Sequence, residues 1–131
     1  MSSRSIDDLH PLFRAKAQAF LDSAKDAGLD VLLYCTFRSL TEQDKLYAQG
    51  RSSPGKIVTN ARSGESAHNF GLAFDAVPMI HGKPAWDDHE AWQTYGAVAA
   101  SVGLEWAGNW LSFKEFPHVQ MPDWKQIARG P

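Results

Sequence analysis

The sequence predicts an α+β fold in which helices pack against a small antiparallel sheet. Segments with apolar residues at helical spacing and short apolar runs typical of strands follow one another in mixed order. No internal repeat, low-complexity tract or long linker divides the chain. Because 131 residues also match the usual size of one compact unit, we expect a single domain over residues 1–131.

The first half of the chain is predicted to contain two helices and two strands. Apolar residues recur at helical spacing over residues 11–27, with a proline suited to the first turn and a glycine just past the end. Residues 30–37, DVLLYCTF, are almost continuously apolar and predict a buried strand. Thr41 is expected to cap a short helix over residues 41–49, and a small strand is expected at 57–59.

The second half is predicted to add one long helix and two strands. The apolar run at 72–77 predicts a strand that ends at Pro78, and residues 79–85 are expected to form a turn. Asp87 or Asp88 is expected to cap a third helix over roughly residues 88–102, which stops at Gly103. The last strand is expected at 117–121, and a short helix follows it.

The charge balance and the single cysteine exclude several classes of protein. Thirteen Lys and Arg residues against fifteen Asp and Glu residues give a net charge of −2, which argues against a nucleic-acid-binding surface. Cys35 is the only cysteine, so an intramolecular disulfide is impossible. No apolar run approaches the length of a membrane span, and charged residues occupy the place of a signal segment. We therefore expect synthesis in the cytoplasm without a signal peptide.

Two short segments contain the residue types of a catalytic site. His68 lies just before a glycine, and Asp75 lies within the apolar strand that follows, where a carboxylate is costly unless it is paired or binds a metal. Farther along, Glu115 comes three residues before His118. Pro117 between them excludes an ordinary helix interior, so this is not the two-histidine helix of HExxH peptidases.

Two histidines and one carboxylate with an open fourth position are typical of a catalytic zinc site. His68, Asp75 and His118 are candidate ligands, and Glu115 is a candidate base for the proton of a zinc-bound water. Taken singly, these residues have simpler explanations. His68 alone fits a hydrogen-bonded loop histidine, Asp75 fits a buried ion-pair partner of Arg38, and Glu115 fits a solvated surface charge.

The pattern S-x-H-x-x-G-x-A-x-D at residues 66–75 resembles the first zinc motif of the D-Ala-D-Ala metallopeptidase family, which is VanY-like and has the hedgehog/DD-peptidase fold. An acidic residue three before a histidine, as in Glu115 and His118, resembles its second motif. Further segments resemble the phage-endolysin and L-alanyl-D-glutamate endopeptidase branch: residues 34–39, 42–43, 46–47, 49–51, 54–55, 58–59 and 103–106. In that branch the second motif often follows Gly-Gly-Asp-Trp, whereas this chain has Asn109 in place of the aspartate.

This resemblance implies a role for each matched residue. It implies one zinc ion per chain, with a ligand set of His68, Asp75 and His118. Glu115 would act as general base and acid, and Arg38 would contact the scissile carbonyl and stabilise the charge that develops there. Ser66 would support the site through a hydrogen bond on the substrate side.

The implied activity is hydrolysis of the stem peptide of bacterial peptidoglycan, most simply between L-Ala and D-Glu. One alternative within the family is a D-Ala-D-Ala carboxypeptidase or dipeptidase. An alternative of another class is a zinc-bearing binding module without hydrolysis, as in the hedgehog signalling domain, although retention of Glu115 argues against it. We expect a monomeric, endolysin-like enzyme that needs no nucleic acid or membrane span and that reaches the wall or periplasm through a membrane lesion.

Other reactive residues have structural interpretations. We expect Cys35 to be a small core residue, because the sequence places no histidine or helix N-terminus beside it to activate a thiolate. Arg51, Lys56 and Arg62 precede the first motif, and they fit either a contact to a substrate carboxylate or a loop of solvated charges. The five tryptophans are scattered along the chain, which favours packing over a sugar-binding platform.

Overall fold

The computed structural model describes residues 2–112 and 114–130, and it shows helices arranged around one antiparallel sheet. The α-helices are α1 (Pro11–Asp26), α2 (Leu40–Ala48), α3 (His89–Ser101) and α4 (Trp124–Arg129). The strands are β1 (Asp30–Cys35), β2 (Ala73–Ile80), β3 (Lys83–Pro84), β4 (Glu105–Trp106) and β5 (His118–Gln120). Short 3₁₀ turns occur at Ile6–Asp8, Ala67–Phe70 and Ala107–Asn109. The predicted α+β class with an antiparallel sheet is confirmed.

The long strand β2 lies at the centre of the sheet. The strand order is β1-β2-β5-β4, and β3 pairs with the far end of β2. In this register Asp75 on β2 lies opposite Cys35 on β1 and opposite His118 on β5. Residues opposite each other in antiparallel strands present their side chains on the same face. The sheet therefore brings these three side chains together.

Helices α1 and α3 cover the other side of the sheet with aromatic side chains. Phe20 on α1 lies 5.0 Å from the ring of Phe74 on β2 and 5.1 Å from the ring of Tyr95 on α3. Phe13 lies 5.9 Å from the same Phe74 ring. All four side chains are buried, and burial of one such side chain contributes about 1.5–3 kcal/mol. This core fixes the central strand that bears Asp75.

Most predicted boundaries agree with the structure, but the start of α2 was placed wrongly. Ser39, not Thr41, caps this helix, because the Ser39 hydroxyl accepts a hydrogen bond of 3.1 Å from the backbone N–H of Glu42. Among the described residues, none of the helices combines the length and the hydropathy of a membrane-spanning segment.

The prediction of a strand at 57–59 is also wrong, because these residues lie in a loop. Side chains satisfy the loop carbonyls in place of a neighbouring strand. Gln49 donates to the carbonyl of Lys56 at 2.9 Å, and Arg51 donates to the carbonyl of Thr59 at 3.0 Å. The prediction that residues 30–37 form one strand is right through residue 35, but the prediction that this strand is buried is wrong. Leu32 is 43% exposed, and of the residues of β1 only Cys35 is buried.

The strand predicted to end at Pro78 continues to Ile80 and turns back into β3, so residues 79–85 form a hairpin rather than a simple turn. The carbonyl of Pro78 accepts a hydrogen bond of 2.8 Å from Ala85. The N–H and C=O of one strand residue point to the same neighbour. The missing N–H of the proline therefore faces the two-residue edge strand, and the ladder with β1 stays intact.

Candidate metal centre and active site

The turn that presents His68 is fixed by its neighbours on both sides. Ser66 caps the turn and accepts a hydrogen bond of 3.3 Å from the backbone N–H of His68. The side chain of Asn69 completes the cap and donates to the carbonyl of Arg38 at 3.0 Å. Gly71, with φ +70°, ends the turn in the left-handed region that glycine adopts without strain. The imidazole is buried and directed at the sheet.

Three donor atoms form a nearly equilateral triangle. Nε2 of His68 lies 3.1 Å from Oδ1 of Asp75 and 3.2 Å from Nδ1 of His118, and this Nδ1 lies 3.3 Å from the same Oδ1. A tetrahedral zinc ion with bonds of about 2.0–2.1 Å has its ligand atoms about 3.3 Å apart. The predicted ligands therefore meet at the spacing that such an ion needs.

In each histidine of the triangle, the ring nitrogen that points away from the triangle is hydrogen-bonded, and the nitrogen that points into it is available to a metal. Nδ1 of His68 lies 2.8 Å from the backbone carbonyl oxygen of Thr36, which accepts its hydrogen. Nε2 of His118 lies 2.7 Å from Oε1 of Gln120. A neutral imidazole carries one hydrogen, so in the neutral form that binds a metal these contacts leave the lone pairs on Nε2 of His68 and Nδ1 of His118. The donor set thus fits a metal in chemistry as well as in spacing.

The charges at the triangle reinforce one another. Although burial opposes ionisation of Asp75, the imidazoles of His68 and His118 lower the pKa of its carboxyl far below the usual range. Burial likewise disfavours a charged His68, but the Asp75 carboxylate raises the pKa of this imidazole to about 10. The triangle is therefore a buried site that strongly favours positive charge at its centre.

Cys35 lies beside this site, contrary to the expectation that no histidine is near it. Its Sγ is 3.7 Å from Nδ1 of His68 and accepts a hydrogen bond of 3.4 Å from Arg38. Cys35, His68 and Asp75 also offer ligand atoms within 4.8 Å of one another. The sulfur, however, faces the ring nitrogen that is engaged with Thr36. Nδ1 of His118 lies 3.2 Å and 3.3 Å from the other two donor atoms, so His118 is the better-placed third donor.

Glu115 lies next to the triangle but outside it. Its Oε2 is 3.8 Å from Nδ1 of His118, and its side chain is 29% exposed. Burial raises the pKa of this carboxyl, while His118 acts in the opposite direction. A carboxyl with a raised pKa at the edge of a metal site can accept and return a proton near neutral pH.

Arg38 lies beside the Asp75 corner of the triangle, with its Nη2 atom 3.8 Å from Oδ2 of Asp75. The other terminal nitrogen, Nη1, donates to Oε1 of Gln43 at 3.1 Å, and Gln43 donates to the carbonyl of Ala61 at 2.7 Å. Gln43 is fully buried on α2. Sequence reasoning gave this glutamine no role, although it lies in a segment that resembles the family.

Two buried aromatic donors hold the segment that carries Glu115. The hydroxyl of Tyr95 donates to the carbonyl of Pro117 at 2.6 Å, and Nε1 of Trp106 donates to the carbonyl of Phe116 at 2.6 Å. Neither carbonyl belongs to a strand residue. The Pro117 carbonyl also accepts a longer hydrogen bond of 3.4 Å from the backbone N–H of Ala76 on β2. The two aromatic side chains fix the backbone between Glu115 and β5.

Two glycines make room for the indole of Trp106. A Cβ atom at Gly96 on α3 would lie 2.2 Å from the Trp106 ring, and one at Gly108 would lie 2.1 Å from it. Both distances are far below van der Waals contact. Any larger residue at either position would therefore displace the indole and the segment that it holds.

The triangle opens into a cleft of about 880 Å³ that also reaches Arg38, Ser66 and Glu115. Four of the five tryptophans line it: Trp86, Trp92, Trp110 and Trp124. Arg51 is not among the residues that line this cleft in the described chain. Its guanidinium lies 3.9 Å from the ring centre of Tyr47 and donates to backbone carbonyls, which indicates a structural role.

The chain matches a known protein family and characterised peptidases. The VanY family model, described as D-alanyl-D-alanine carboxypeptidase, matches residues 7–121. The chain is 42% identical to the peptidoglycan L-alanyl-D-glutamate endopeptidase CwlK of Bacillus subtilis (strain 168), with 87% of this chain and 74% of that protein covered. It is 32% identical to the L-alanyl-D-glutamate peptidase of Listeria phage A118, of which it covers 41%.

Solved structures show the same fold. The Serratia marcescens L-Ala D-Glu endopeptidase ChiX superposes with a TM-score of 0.73 at 19% identity, with 98% of this chain and 92% of that chain covered. The vancomycin-resistance D,D-pentapeptidase VanY, crystallised in complex with Zn(II), gives a TM-score of 0.64 at 16% identity, with coverage of 92% and 78%. These findings confirm the family that the motifs predicted: the chain belongs to the VanY family of peptidases.

Proposed function

We propose that this chain is a zinc-dependent peptidoglycan endopeptidase that hydrolyses the L-Ala–D-Glu bond of the stem peptide. The donor triangle of His68, Asp75 and His118, with Glu115 just outside it, is the observation that carries the proposal. The 42% identity to the Bacillus subtilis L-alanyl-D-glutamate endopeptidase supports the choice of bond.

The triangle would hold one zinc ion per chain. Two imidazole nitrogens and one carboxylate oxygen suit zinc better than magnesium or calcium, which prefer oxygen ligands. When bound, zinc would supply Lewis acidity at an open fourth position. All three donors and Glu115 come from the same chain, so a monomer contains the complete site.

Glu115 would carry the proton through the reaction. Its carboxylate accepts a proton from the attacking water as the water oxygen bonds to the alanyl carbonyl carbon. It then returns that proton to the leaving nitrogen of D-Glu as the C–N bond breaks. The position of Glu115 at 3.8 Å from His118, beside the donor atoms rather than among them, supports this role.

Arg38 would stabilise the negative charge that develops on the carbonyl oxygen. A guanidinium presents several N–H donors in a planar array, and Gln43 and Cys35 hold this one at the edge of the triangle. Ser66 lines the cleft while its hydroxyl caps the His68 turn, so it would support the site from the substrate side.

Mass spectrometry of digested cell wall tests the proposed bond. We expect peptides with a new free amine on D-Glu, and glycan strands on which each cleaved stem peptide is reduced to its L-Ala residue. The Glu115→Gln variant, digested in parallel, controls for contaminating hydrolases. Release of D-Ala or D-Ala-D-Ala without these products would contradict the proposed specificity, and inactivity of both proteins would contradict hydrolysis.

A further inference from the structure

A hydrogen-bonded chain of three side chains ends on His118. Glu105 on β4 and Gln120 on β5 lie directly opposite each other, and Nε2 of Gln120 donates to Oε2 of Glu105 at 3.1 Å. Oε1 of the same amide lies 2.7 Å from Nε2 of His118. Alternation along β5 puts Gln120 and His118 on the same face of the sheet. The sheet thus connects Glu105 to a candidate metal ligand.

Each hydrogen bond in this series of three side chains has only one possible donor. A carboxylate oxygen can only accept a hydrogen bond, so the amide nitrogen of Gln120 must face Glu105. The amide oxygen then faces His118, and because it too can only accept, Nε2 of His118 must carry the hydrogen. Nδ1 is left with a lone pair, and this is the atom that lies 3.3 Å from Asp75.

Because Gln120 and His118 are buried, reversing the direction of these hydrogen bonds would be costly. Gln120 and His118 are only 8% and 6% exposed, so water has little access to satisfy a misdirected amide or imidazole. Glu105 also accepts a hydrogen bond of 2.8 Å from Nε1 of Trp110 on the same oxygen. The Trp110 ring lies 5.6 Å from the His118 ring, so both groups that Glu105 holds also contact this histidine.

We propose that Glu105 is a positioning residue that fixes, through Gln120, the tautomer of His118 in which Nδ1 is free to bind a metal. The inference rests on the proposed function, in which His118 is a zinc ligand. Outer hydrogen bonds of this kind orient metal-binding histidines, and their loss typically weakens metal affinity about 10- to 100-fold.

Two substitutions of Glu105 by residues of nearly equal size distinguish its effect as a hydrogen-bond acceptor from its effect on packing. In Glu105→Gln the side-chain oxygen still accepts from Gln120 and Trp110. In Glu105→Met only a weakly accepting thioether replaces the carboxylate. The Gln120 amide can then rotate and present its NH₂ group to His118, which favours a hydrogen on Nδ1. Trp110→Phe removes only the indole donor and leaves the link between Glu105 and Gln120 in place.

The first measurement is the tautomer of His118 in zinc-free protein, read from ¹⁵N–¹H NMR of the ring at about pH 8, above the ordinary titration range of histidine. We expect hydrogen on Nε2 in the wild type, in Glu105→Gln and in Trp110→Phe, and a large fraction on Nδ1 in Glu105→Met. The second is the zinc Kd from competition with a chelating dye. We expect the zinc Kd to rise about 10- to 100-fold in Glu105→Met and to stay near the wild-type value in Glu105→Gln and Trp110→Phe.

An unchanged tautomer and zinc Kd in Glu105→Met would overturn the inference. An equal loss of zinc affinity in Glu105→Gln would also overturn it, because the charge of Glu105 and not its role as an acceptor would then be responsible. An equal loss of zinc affinity in Trp110→Phe would assign the effect to the Trp110 indole. If Glu105→Met does not fold, Gln120→Met removes the same link and must reproduce both changes. A wild type that binds no zinc would contradict the proposed function, while the tautomer measurement would still decide this inference.

Discussion

Asp75 and His118 lie directly opposite each other on β2 and β5, with Oδ1 of Asp75 3.3 Å from Nδ1 of His118. The register of the sheet alone fixes this pair. His68 reaches the same point from a different kind of element, the capped 3₁₀ turn that precedes β2. The donor triangle therefore depends on one strand register and one short turn.

Zinc binding is expected to occur at about one ion per chain and to release about one proton per ion at pH 7. Burial disfavours a charged His68, but the Asp75 carboxylate raises the pKa of this imidazole to about 10, so zinc must displace its proton. Calorimetry in buffers of different ionisation enthalpy measures the released proton, and elemental analysis measures the metal.

The sign of the pH dependence follows from the same shift. Because the pKa of His68 is raised above its ordinary value of 6.5, protonation stabilises zinc-free protein fully below that value, and this stability is lost as the pH rises towards about 10. Zinc affinity should increase over the same interval. A zinc Kd that rises between about pH 6 and pH 9 would contradict this assignment.

Arg38→Lys is expected to lower kcat about 10²- to 10³-fold with little change in KM. Lysine keeps the charge but lacks the planar array of donors that Gln43 and Cys35 hold in place. Steady-state kinetics on a synthetic stem peptide, with zinc content measured in parallel, checks this. A normal kcat would reassign Arg38 to the structural role of ion-pair partner to Asp75.

Gly96→Ala is expected to destabilise the protein by about 1–3 kcal/mol, although helix propensity alone predicts a gain of about 1 kcal/mol. The reason is that the added Cβ would lie 2.2 Å from the Trp106 ring. Urea denaturation measures the change. Ala97→Gly, at an exposed site on the same helix, is the matched control and should cost about 1 kcal/mol. A gain in stability for Gly96→Ala would show that the indole has room to move.

The candidate ligands could be predicted from the sequence because they lie in two short motifs of fixed spacing. Spacing within a motif reports local geometry, and the resemblance to a family added the pairing of the two motifs. The α+β class followed in the same way from the alternation of helical and strand patterns. These parts of the prediction depended on residues close together in the chain.

The supporting residues could not be predicted, because they are brought together by register and packing. Glu105 meets Gln120 only through the pairing of β4 with β5, and β4 is too short to give a strand pattern. Gln43 reaches Arg38 from a helix whose polar residues look solvated in the sequence. The contact of Cys35 with His68 was missed for the same reason.

Zinc content and turnover, measured side by side in Glu115→Gln and His68→Ala, test the proposed zinc mechanism. Glu115→Gln removes the proton acceptor but leaves all three donors, so we expect full zinc content and a loss of turnover of about 10²- to 10⁴-fold. His68→Ala should lose zinc together with activity. Loss of zinc from Glu115→Gln would make Glu115 a ligand and reopen the assignment of Asp75, and near-normal turnover with zinc retained would contradict the proposed mechanism.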